Sequence, residues 1–455
     1  MSKFNAFKNY VKGKKIGVVG IGISNMPLIE LLCENGAIVT AYDKKTEDKL
    51  GENGEKLKKL GAKLVCGENY LDNLSGDIIF KTPGMRFDHS ALINARENGS
   101  IITSEMEVFF EVCPSKIIAV TGSDGKTTTT TLIYKILTES GYNCHLGGNI
   151  GTPLLCRTDE IKETDIAVLE LSSFQLHTMK KSADVAVVTN ISPNHLDMHK
   201  SYEEYIEAKC NIFLNQNEDG VLVVNKANDV SYSLGKSAKG NVTVFGYENS
   251  CDVYTENGEI FAFGEKIMDE ADIKIPGKHN VENYMAAISA TKGLAKKEAI
   301  INVARTFGGV EHRIEFVREL DGVRYYNSSI DSSPNRTINT LKVFDKVVLI
   351  TGGKDKGISY DELGEWLAKK TKHIVLIGKT GPVIKESLEK YVKETGIGAD
   401  IKTEFCQNYE EAVSAARNAS EKGDVVLLSN ASTSFDMFNN FEERGNLFKN
   451  IVNNL

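Results

Sequence analysis

A phosphate-binding loop is the clearest chemical signal in the sequence. An apolar run at residues 117–120 indicates a buried strand, and the turn Gly122-Ser123-Asp124-Gly125 follows it. Lys126 and Thr127 then open a segment with apolar residues at helical spacing. Backbone N–H groups in such a turn, together with a helix N-terminus, attract phosphate anions. We therefore predict a nucleotide-phosphate site, with Lys126 at the outer phosphates and the Thr127 hydroxyl on Mg²⁺.

The spacing of this loop departs from the Walker A sequence, because Val120 stands where the first glycine of that pattern belongs. The alternative is a strand–turn–helix joint that binds nothing. Strand, turn, lysine and threonine together favour the phosphate site.

Possible metal ligands follow the next two apolar runs. Glu170 ends the run at residues 165–171, and a carboxylate between apolar neighbours is costly to bury without a cation. His195 follows the run at residues 185–190, and Asp197 could orient its ring through a hydrogen bond. We predict Mg²⁺ ligands at Glu170 and His195, against the alternatives of a salt-bridged carboxylate and a structural histidine. Lys209, taken alone, is typical of a solvated helix lysine.

Length and composition limit the class of protein. A chain of 455 residues should form two to four domains. The net charge of −8 argues against nucleic acid or an anionic membrane as a partner, and no apolar stretch is long enough for a membrane span. The first residues lack a signal peptide, and the eight scattered cysteines suit a reducing compartment without a zinc site. We expect a cytoplasmic enzyme, most simply a monomer.

The pattern along the chain predicts an α/β protein of three sections. In the first section, short apolar runs at residues 15–20, 37–42, 77–81 and 101–103 alternate with helical patterns, which is typical of a parallel Rossmann-like sheet. Gly20 and Gly22 follow the first run, Asn25 stands where a dinucleotide fingerprint has its third glycine, and Asp43 ends the second run. We favour a nucleotide-diphosphate site here over a structural turn.

The second and third sections continue this alternation. Residues 219–275 contain short alternating segments that predict an antiparallel flank, and residues 279–292 and 296–307 predict helices. The third section opens with a hairpin turned at Asp321-Gly322. Apolar runs at residues 346–351, 373–377 and 424–429 then predict a second Rossmann-like sheet.

Five motifs in the same order resemble the Mur ligases, ATP-dependent amide synthetases of peptidoglycan precursor synthesis that are related to folylpolyglutamate synthases. They are Thr121-Gly-Ser-Asp-Gly-Lys-Thr127, Gly147-Gly-Asn-Ile-Gly151, Glu170-Leu-Ser-Ser-Phe-Gln175, Asn194-His-Leu-Asp197 and Gly277-Lys-His-Asn280. The resemblance covers essentially the whole chain. It implies a UDP-sugar-binding domain at 1–114, a P-loop ATPase domain at 115–310 and an amino-acid-binding domain at 311–455.

The resemblance also implies the reaction and its cofactors. ATP would phosphorylate a substrate carboxylate, and the amine of an amino acid would attack the resulting acyl phosphate. Lys126, His195 and Lys209 would be catalytic, and two Mg²⁺ would be held by Thr127, Glu170, His195 and a carbamylated Lys209. The implied ATP contacts are Gly122, Ser123, Asp124, Gly125, Lys126, Thr127, Thr128, Asn280, His312 and Arg313. The implied UDP-sugar contacts are Ser24, Asn25, Asp43, Lys44 and Asn149.

The third section is similar to that of the D-glutamate-adding members. The resemblance rests on residues 352–357 and 429–445 and implies that Lys356, Ser434 and Phe441 bind the amino acid. The substrates would then be UDP-MurNAc-L-alanine and D-glutamate. The segment at residues 327–334 departs from the pattern, with Ser328 for an expected Asp and Ile330 for an expected Lys. Asp331 is a candidate to supply the carboxylate from a shifted position.

Three other functions stay open from the sequence. Another Mur ligase or a folylpolyglutamate synthase-like ligase would share the chemistry with a different amino acid. A P-loop nucleotide switch would hydrolyse ATP without an amino acid. A nicotinamide oxidoreductase would use Gly20 and Gly22 but would leave the loop at Gly122-Thr127 without a role.

Overall fold

Three β-sheets follow one another along the chain. The computed structural model describes residues 1–22, 24–193, 198–355 and 357–455. Within these ranges the contacts divide the chain into two compact units, Met1–Asp272 with Val281–Ala304, and Ile273–Asn280 with Arg305–Leu455. The first unit contains the first two sheets and the second unit contains the third. The α/β class is confirmed, whereas the domain boundaries after residues 114 and 310 stay predictions.

The first sheet is parallel and has the order β3-β2-β1-β4-β5. This order matches the first five strands of the Rossmann order 3-2-1-4-5-6. Its elements are α1 (Lys3–Val11), β1 (Lys15–Val19), α2 (Asn25–Glu34), β2 (Ile38–Asp43), α3 (Glu47–Leu50), α4 (Glu52–Lys59), β3 (Lys63–Cys66), β4 (Ile78–Phe80), α5 (Ser90–Glu97), β5 (Ile101–Thr103) and α6 (Glu105–Val112).

The second sheet has the order β14-β13-β12-β11-β10-β9-β6-β8-β7. Its elements are β6 (Lys116–Thr121), α7 (Lys126–Glu139), β7 (Cys144–Gly148), β8 (Ile166–Glu170), α8 (Ser173–Leu176), β9 (Val185–Val188), α9 (Tyr202–Cys210), β10 (Val221–Asn225), α10 (Asp229–Leu234), β11 (Asn241–Gly246), β12 (Val253–Glu256), β13 (Glu259–Ala262) and β14 (Glu265–Asp269), followed by α11 (Lys278–Ala290) and α12 (Lys297–Thr306).

The predicted antiparallel flank is confirmed only at the far edge of this sheet. β12, β13 and β14 form an antiparallel meander. The prediction was wrong for β10 and β11, which pair in parallel because α10 crosses over between them.

The third sheet has the order β15-β16-β20-β17-β18-β19 and is parallel except for the opening hairpin. Its elements are β15 (Glu315–Leu320), β16 (Val323–Ser328), α13 (Pro334–Leu341), β17 (Val347–Thr351), α14 (Asp361–Lys370), β18 (Thr371–Ile377), α15 (Gly381–Thr395), β19 (Lys402–Cys406), α16 (Tyr409–Asn418), β20 (Val425–Ser429) and α17 (Phe441–Asn453). The hairpin turn is confirmed, because Asp321 and Gly322 both have positive φ, at 55° and 78°.

Apolar side chains cover these sheets on both faces. On β17, Leu349 packs into one core cluster, while Val348 and Ile350 pack into the cluster on the opposite face. In the first unit, a single cluster runs from β1 through Phe109 of α6 to the strands of the second sheet. None of the helices in the described part of the chain combines the length and apolar character that crossing a membrane requires.

Candidate active site

The phosphate loop lies at the carboxyl end of β6, between β8 and β9. Gly122 and Gly125 have φ of 151° and 78°. A β-carbon at Gly122 would overlap the Thr189 hydroxyl, and one at Gly125 would overlap the amide oxygen of Asn283. Both positions therefore require glycine for conformation and for space.

The helix that follows the loop presents its N-terminus without a side-chain cap. α7 begins at Lys126 after Gly125, and no acidic residue lies in its first turn. Lys126, Thr127 and Thr128 are half-buried. Lys126 Nζ donates to the carbonyls of Gly122 and Ser123 at 3.0 and 2.9 Å, so the ammonium lies over the loop. This arrangement of uncapped N–H groups and a cation suits a polyphosphate.

The segment after β9 fixes the loop. Ser123 N donates to the Asn190 carbonyl at 2.8 Å, and Asp124 N donates to the Asn190 side chain at 3.0 Å. Thr189 Oγ1 donates to the Asp124 carbonyl at 2.6 Å. Ser123 Oγ also lies 3.0 Å from the hydroxyl of Tyr205 on α9. These bonds hold the loop in one conformation.

Glu170 ends β8 with its side chain buried at 2% exposure. Asn149 Nδ2 donates to Glu170 Oε1 at 2.8 Å, and Asn149 N donates to the Glu170 carbonyl at 2.8 Å. Glu170 Oε2 is buried without a hydrogen bond from any residue in the described ranges. A buried carboxylate oxygen in this state fits a hard cation such as Mg²⁺. Asn149 has its amide on this carboxylate, and its predicted contact with the UDP-sugar stays a prediction.

Lys209 lies beside the loop and not in solvent. It is 1% exposed in the last turn of α9, and its Nζ donates to the Gly122 carbonyl at 2.8 Å and to Thr121 Oγ1 at 3.3 Å. The amine also lies 4.6 Å from the centre of the Tyr205 ring. Burial and the nearby charge of Lys126 hold the pKa of Lys209 well below its ordinary range. A lowered pKa favours the neutral, nucleophilic form of the amine.

Two side chains of the first section, Asn25 and Asp43, hydrogen-bond to the backbone of the glycine turn at residues 20–22. Asn25 Nδ2 donates to the carbonyls of Val19 and Gly20, both at 3.0 Å. Asp43 accepts from Ile21 N at 2.7 Å through one oxygen and from Lys45 N at 2.8 Å through the other. Asn25 and Asp43 thus shape the turn. Ser24 precedes α2 without a side-chain cap bond, and Lys44 is exposed.

The second unit contains residues predicted for both ATP and the amino acid. The ring of His312 packs edge-on against Phe441, with 5.9 Å between centroids. His312 is buried, and Asn327 Nδ2 lies 3.0 Å from its Nδ1. Burial, with Lys449 nearby, lowers the pKa of His312. The two rings form one packed pair, although the sequence assigned them to different ligands.

Other predicted contacts in this unit lie on loops and helix starts. Ser434 is buried, and its carbonyl accepts from Met437 N and Phe438 N. Arg313 is exposed. Asn280 lies in the first turn of α11, where its amide donates to the Pro276 carbonyl at 2.6 Å.

The divergent segment at residues 327–334 is built into the fold. Asp331 is 5% exposed, and its Oδ2 accepts from the hydroxyls of Thr340 and Ser429 at 2.7 and 2.8 Å. Burial raises the pKa of Asp331. Ser328 Oγ accepts from Ile314 N at 3.3 Å. These contacts bind the segment to β20 and α13.

Three residues singled out from the sequence lie outside the described ranges. They are His195, its neighbour Asp197, and Lys356. Their roles stay predictions.

Sequence reasoning missed several residues around the loop. Tyr205 contacts Ser123 of the loop, Asn283 contacts Thr129 in the helix that follows, and Arg86 reaches α9 from the loop after β4. Tyr205 precedes Lys209 by one helical turn, a spacing that could have suggested a shared face. Arg86 had no such signal, because Met198 and Glu204, which it contacts in the second section, are more than 100 positions away.

The chain belongs to the Mur ligase family. The family model of the Mur ligase middle domain matches residues 120–291, and that of the Mur ligase, glutamate ligase domain matches residues 312–431. A UDP-N-acetylmuramoylalanine--D-glutamate ligase of Ruminiclostridium cellulolyticum is 54% identical, covering 100% of this chain and 99% of the relative. A ligase of the same name from Clostridium novyi is 51% identical over 99% of each chain.

Solved structures agree at the level of the fold. The UDP-N-acetylmuramate-alanine ligase of Thermotoga maritima superposes with a TM-score of 0.58 at 20% identity, covering 97% of this chain and 99% of that one. A UDP-N-acetylmuramoyl-L-alanyl-D-glutamate--2,6-diaminopimelate ligase gives 0.54 at 18% identity over 93% and 88% of the two chains. The fold of the Mur ligases is therefore confirmed for this chain.

Proposed function

We propose that the protein joins D-glutamate to UDP-MurNAc-L-alanine with the conversion of ATP to ADP and phosphate, a step of peptidoglycan precursor synthesis. The observation that carries this proposal is the full-length identity of 54% to a relative named for that reaction. The site geometry agrees, because the phosphate loop, Glu170 and the amine of Lys209 meet around the ends of β6 and β8.

The reaction needs a carboxylate to become an acylating agent. The terminal carboxylate of UDP-MurNAc-L-alanine attacks the γ-phosphorus of ATP, which gives an acyl phosphate and ADP. The D-glutamate amine then adds to the acyl carbon, a proton is lost, and phosphate leaves from the tetrahedral intermediate. Phosphoryl transfer between anions depends mainly on positioning and on neutralised charge. The uncapped start of α7 and Lys126 supply both at the loop.

Mg²⁺ would neutralise phosphate charge and polarise the phosphoryl group. Glu170 fits such an ion through its buried Oε2, with Thr127 as the second proposed ligand from this chain. We assign His195 and Lys209 to a second Mg²⁺. Asn149 keeps the Glu170 carboxylate in a fixed orientation.

Lys209 is proposed to act as a carbamate. Its neutral amine would add to CO₂, forming an N–C bond and releasing one proton, and the resulting carboxylate is a hard oxygen ligand. Two observations support this: the amine is 1% exposed, and its pKa is lowered.

The carbamate proposal is tested by replacing Lys209 with alanine. The variant should lose nearly all turnover, and short carboxylic acids should restore part of it. Full activity in the Ala variant would contradict the proposal. In the wild type, ¹³C-labelled bicarbonate should give a carbamate NMR signal that the variant lacks.

The other ligand contacts are proposals from the family resemblance. Ser24, Asn25, Asp43 and Lys44 are assigned to the UDP-sugar. Asn280, His312 and Arg313 are assigned to the nucleoside of ATP. Lys356, Ser434 and Phe441 are assigned to D-glutamate. We further propose a cytoplasmic monomer, which light scattering on a size-exclusion column would test.

The decisive experiment measures phosphate release with ATP, Mg²⁺ and UDP-MurNAc-L-alanine while the amino acid is varied. D-glutamate should support release, whereas L-alanine, L-glutamate and diaminopimelate should not. Release with a different amino acid would indicate another ligase of the class. Release without any amino acid would indicate a nucleotide switch.

A further inference from the structure

Arg86 links the first sheet to the helix that carries Lys209. It lies in the loop that follows β4, at residues 81–89. Its guanidinium donates to both carboxylate oxygens of Glu204, NH2 to Oε1 at 2.9 Å and NH1 to Oε2 at 3.1 Å. NH1 also donates to the carbonyl of Met198 at 2.5 Å. The guanidinium thus holds a side chain and a backbone carbonyl that lie more than 100 positions away.

The two distant partners of Arg86, Glu204 and Met198, connect it to the candidate active site. Glu204 lies in the first turn of α9, and Lys209 lies in the last turn of the same helix. Because a helix is rigid over this distance, the position of Glu204 sets that of Lys209. Met198 directly follows residues 194–197, which contain the predicted metal ligand His195.

The charges around Arg86 form a network in which His177 Nε2 and His199 Nδ1 also lie 3.7 and 3.6 Å from the Glu204 carboxylate oxygens. Asp88 accepts from Nε and NH2 of Arg86 at 2.8 and 3.0 Å, and the Lys200 ammonium lies 2.5 Å from Asp88 Oδ2. Lys200 N donates to Glu204 Oε2 at 2.6 Å. The Arg86 guanidinium lowers the pKa of Glu204 to about 2 and lowers that of Asp88. Both carboxylates are therefore charged at neutral pH.

The same loop contacts the glycine turn of the first sheet. A β-carbon on Gly20 would lie 3.3 Å from Thr82 Cβ, so the turn and the loop are in direct contact. Gly20 belongs to the turn that we assign to the UDP-sugar. The loop at residues 81–89 therefore lies between the proposed UDP-sugar turn and α9 within one compact unit.

We propose that Arg86 is a positioning residue that fixes α9 and Met198 against the loop at residues 81–89, and that it thereby sets the Mg²⁺ affinity of the metal site that includes Lys209. The proposal rests on the ligase function and extends it. Arg86 touches no reacting atom in this scheme. It acts through the helix and through the backbone carbonyl. Lysine could not replace it fully, since an ammonium cannot contact both Glu204 oxygens in parallel while also bonding Met198.

The test compares Arg86→Met and Arg86→Lys with the control Lys8→Met. Lys8 forms a 2.8 Å ion pair with Asp159, which also joins the first section to the second, far along the chain from α9. Binding of Mn²⁺ in the presence of a non-hydrolysable ATP analogue is measured by electron paramagnetic resonance. The Mg²⁺ dependence of turnover, the KM for ATP and the Tm are measured alongside.

We expect Arg86→Met to lower the Mn²⁺ affinity of the weaker of the two proposed metal sites by about 10–100-fold. This is the usual effect of losing a group that orients metal ligands. Arg86→Lys should give an intermediate loss, and Lys8→Met should leave Mn²⁺ binding unchanged. The KM for ATP should stay within about threefold in each variant, since the phosphate loop keeps its own contacts.

Unchanged Mn²⁺ affinity in both Arg86 variants would overturn the proposal, as would equal losses of Mn²⁺ and ATP affinity. Should Arg86→Met fail to fold, Arg86→Lys decides the question by the same criterion. The Mn²⁺ measurement does not depend on which amino acid is ligated. A wild type that fails to ligate D-glutamate therefore contradicts the proposed function without touching this result.

Discussion

The side-chain amide of Asn149 donates a 2.8 Å hydrogen bond to Glu170 Oε1, and the opposite carboxylate oxygen has no hydrogen bond from the described residues. Asn149 thereby orients the carboxylate that we assign to Mg²⁺. Asn149→Ala should raise the Mg²⁺ concentration for half-maximal turnover by about 10–100-fold. Titration of Mg²⁺ in the phosphate-release assay measures this change, and the KM for UDP-MurNAc-L-alanine should stay near the wild-type value.

A matched control lies at the other end of the same two strands. Asn143 Nδ2 donates to Asp165 Oδ2 at 2.9 Å, just before β7 and β8 begin. Asn143→Ala removes an equivalent bond away from the loop and should leave the Mg²⁺ requirement unchanged. A raised KM for the UDP-sugar with a normal Mg²⁺ requirement in Asn149→Ala would instead support direct contact of Asn149 with the substrate.

Glycines with positive φ flank α7 at both ends, and they allow a paired test of the loop. Gly125→Ala should weaken ATP binding at least tenfold, because the new methyl group would overlap the Asn283 amide. Gly141 has φ of 102° and open space around it, so Gly141→Ala should lower the stability of the protein by only about 1–2 kcal/mol, the cost of placing a side chain on a left-handed backbone. Its affinity for ATP should not change. Calorimetric titration of ATP separates the two variants. Equal ATP affinity in both would contradict the steric argument.

Glu105 makes stability depend on pH. It is 7% exposed, its Oε1 accepts from Leu155 N at 2.9 Å, and burial raises its pKa from 4.5 to about 7. Between these two values the unfolded chain has lost this proton while the folded protein keeps it. The contribution of Glu105 to stability is therefore full below pH 4.5 and is lost as the pH rises to about 7.

Glu105→Gln should remove this loss, since the amide oxygen can still accept from Leu155 N and the side chain stays neutral. Relative to the variant, the wild type should become less stable by about 1–3 kcal/mol between pH 5 and pH 8. Thermal unfolding at the two pH values measures the difference. The exposed control Glu386→Gln should follow the wild type. A constant gap between wild type and Glu105→Gln would contradict the assignment.

Arg444 is buried and hydrogen-bonds to the divergent segment at residues 327–334. It is 1% exposed and donates to the Ser329 carbonyl at 2.6 Å, to Ser329 Oγ at 2.9 Å and to the Ser432 carbonyl at 3.1 Å. Arg444→Met should destabilise the protein by about 3 kcal/mol, because buried carbonyls lose their donor. The KM for D-glutamate should also rise, since Ser432 precedes the proposed contact Ser434.

Urea unfolding and D-glutamate titration check the Arg444 prediction. The control Arg417→Met breaks the 3.2 Å contact between Arg417 and Asp321, both of which are exposed. It should cost less than about 1 kcal/mol, as is usual for exposed ion pairs. Equal stability losses in the two variants would show that burial of Arg444 does not matter.

The sequence indicated the central strands well because they are apolar on both faces. It missed β3, β7 and β19, each of which lies at one edge of its sheet and is only partly buried. An edge strand packs against fewer neighbours, so its sequence need not be a continuous apolar run. The strand–turn–helix geometry of the phosphate loop and the place of Glu170 at a strand end followed from local motifs, because each is encoded in consecutive residues.

Contacts between residues that are distant in the sequence could not be predicted from local motifs. The burial of Lys209 against Gly122, the packing of His312 on Phe441 and the network of Asp331 all depend on side chains brought together by tertiary folding. Alone, Lys209 looks like any helix lysine. Its environment is set by β6 and by Tyr205, and only the family resemblance pointed to it in advance.

The continuous apolar core that runs from β1 through Phe109 to the second sheet bears on how such enzymes are assembled from parts. Residues 1–114 do not form a hydrophobic core of their own that could be exchanged as a unit, because Leu154, Leu155 and other residues of the neighbouring section belong to the same core cluster. A chimera with a foreign version of this segment would also need the residues of the neighbouring section that pack against it. The section that we assign to the nucleotide sugar and the section that we assign to ATP should then unfold in one cooperative transition.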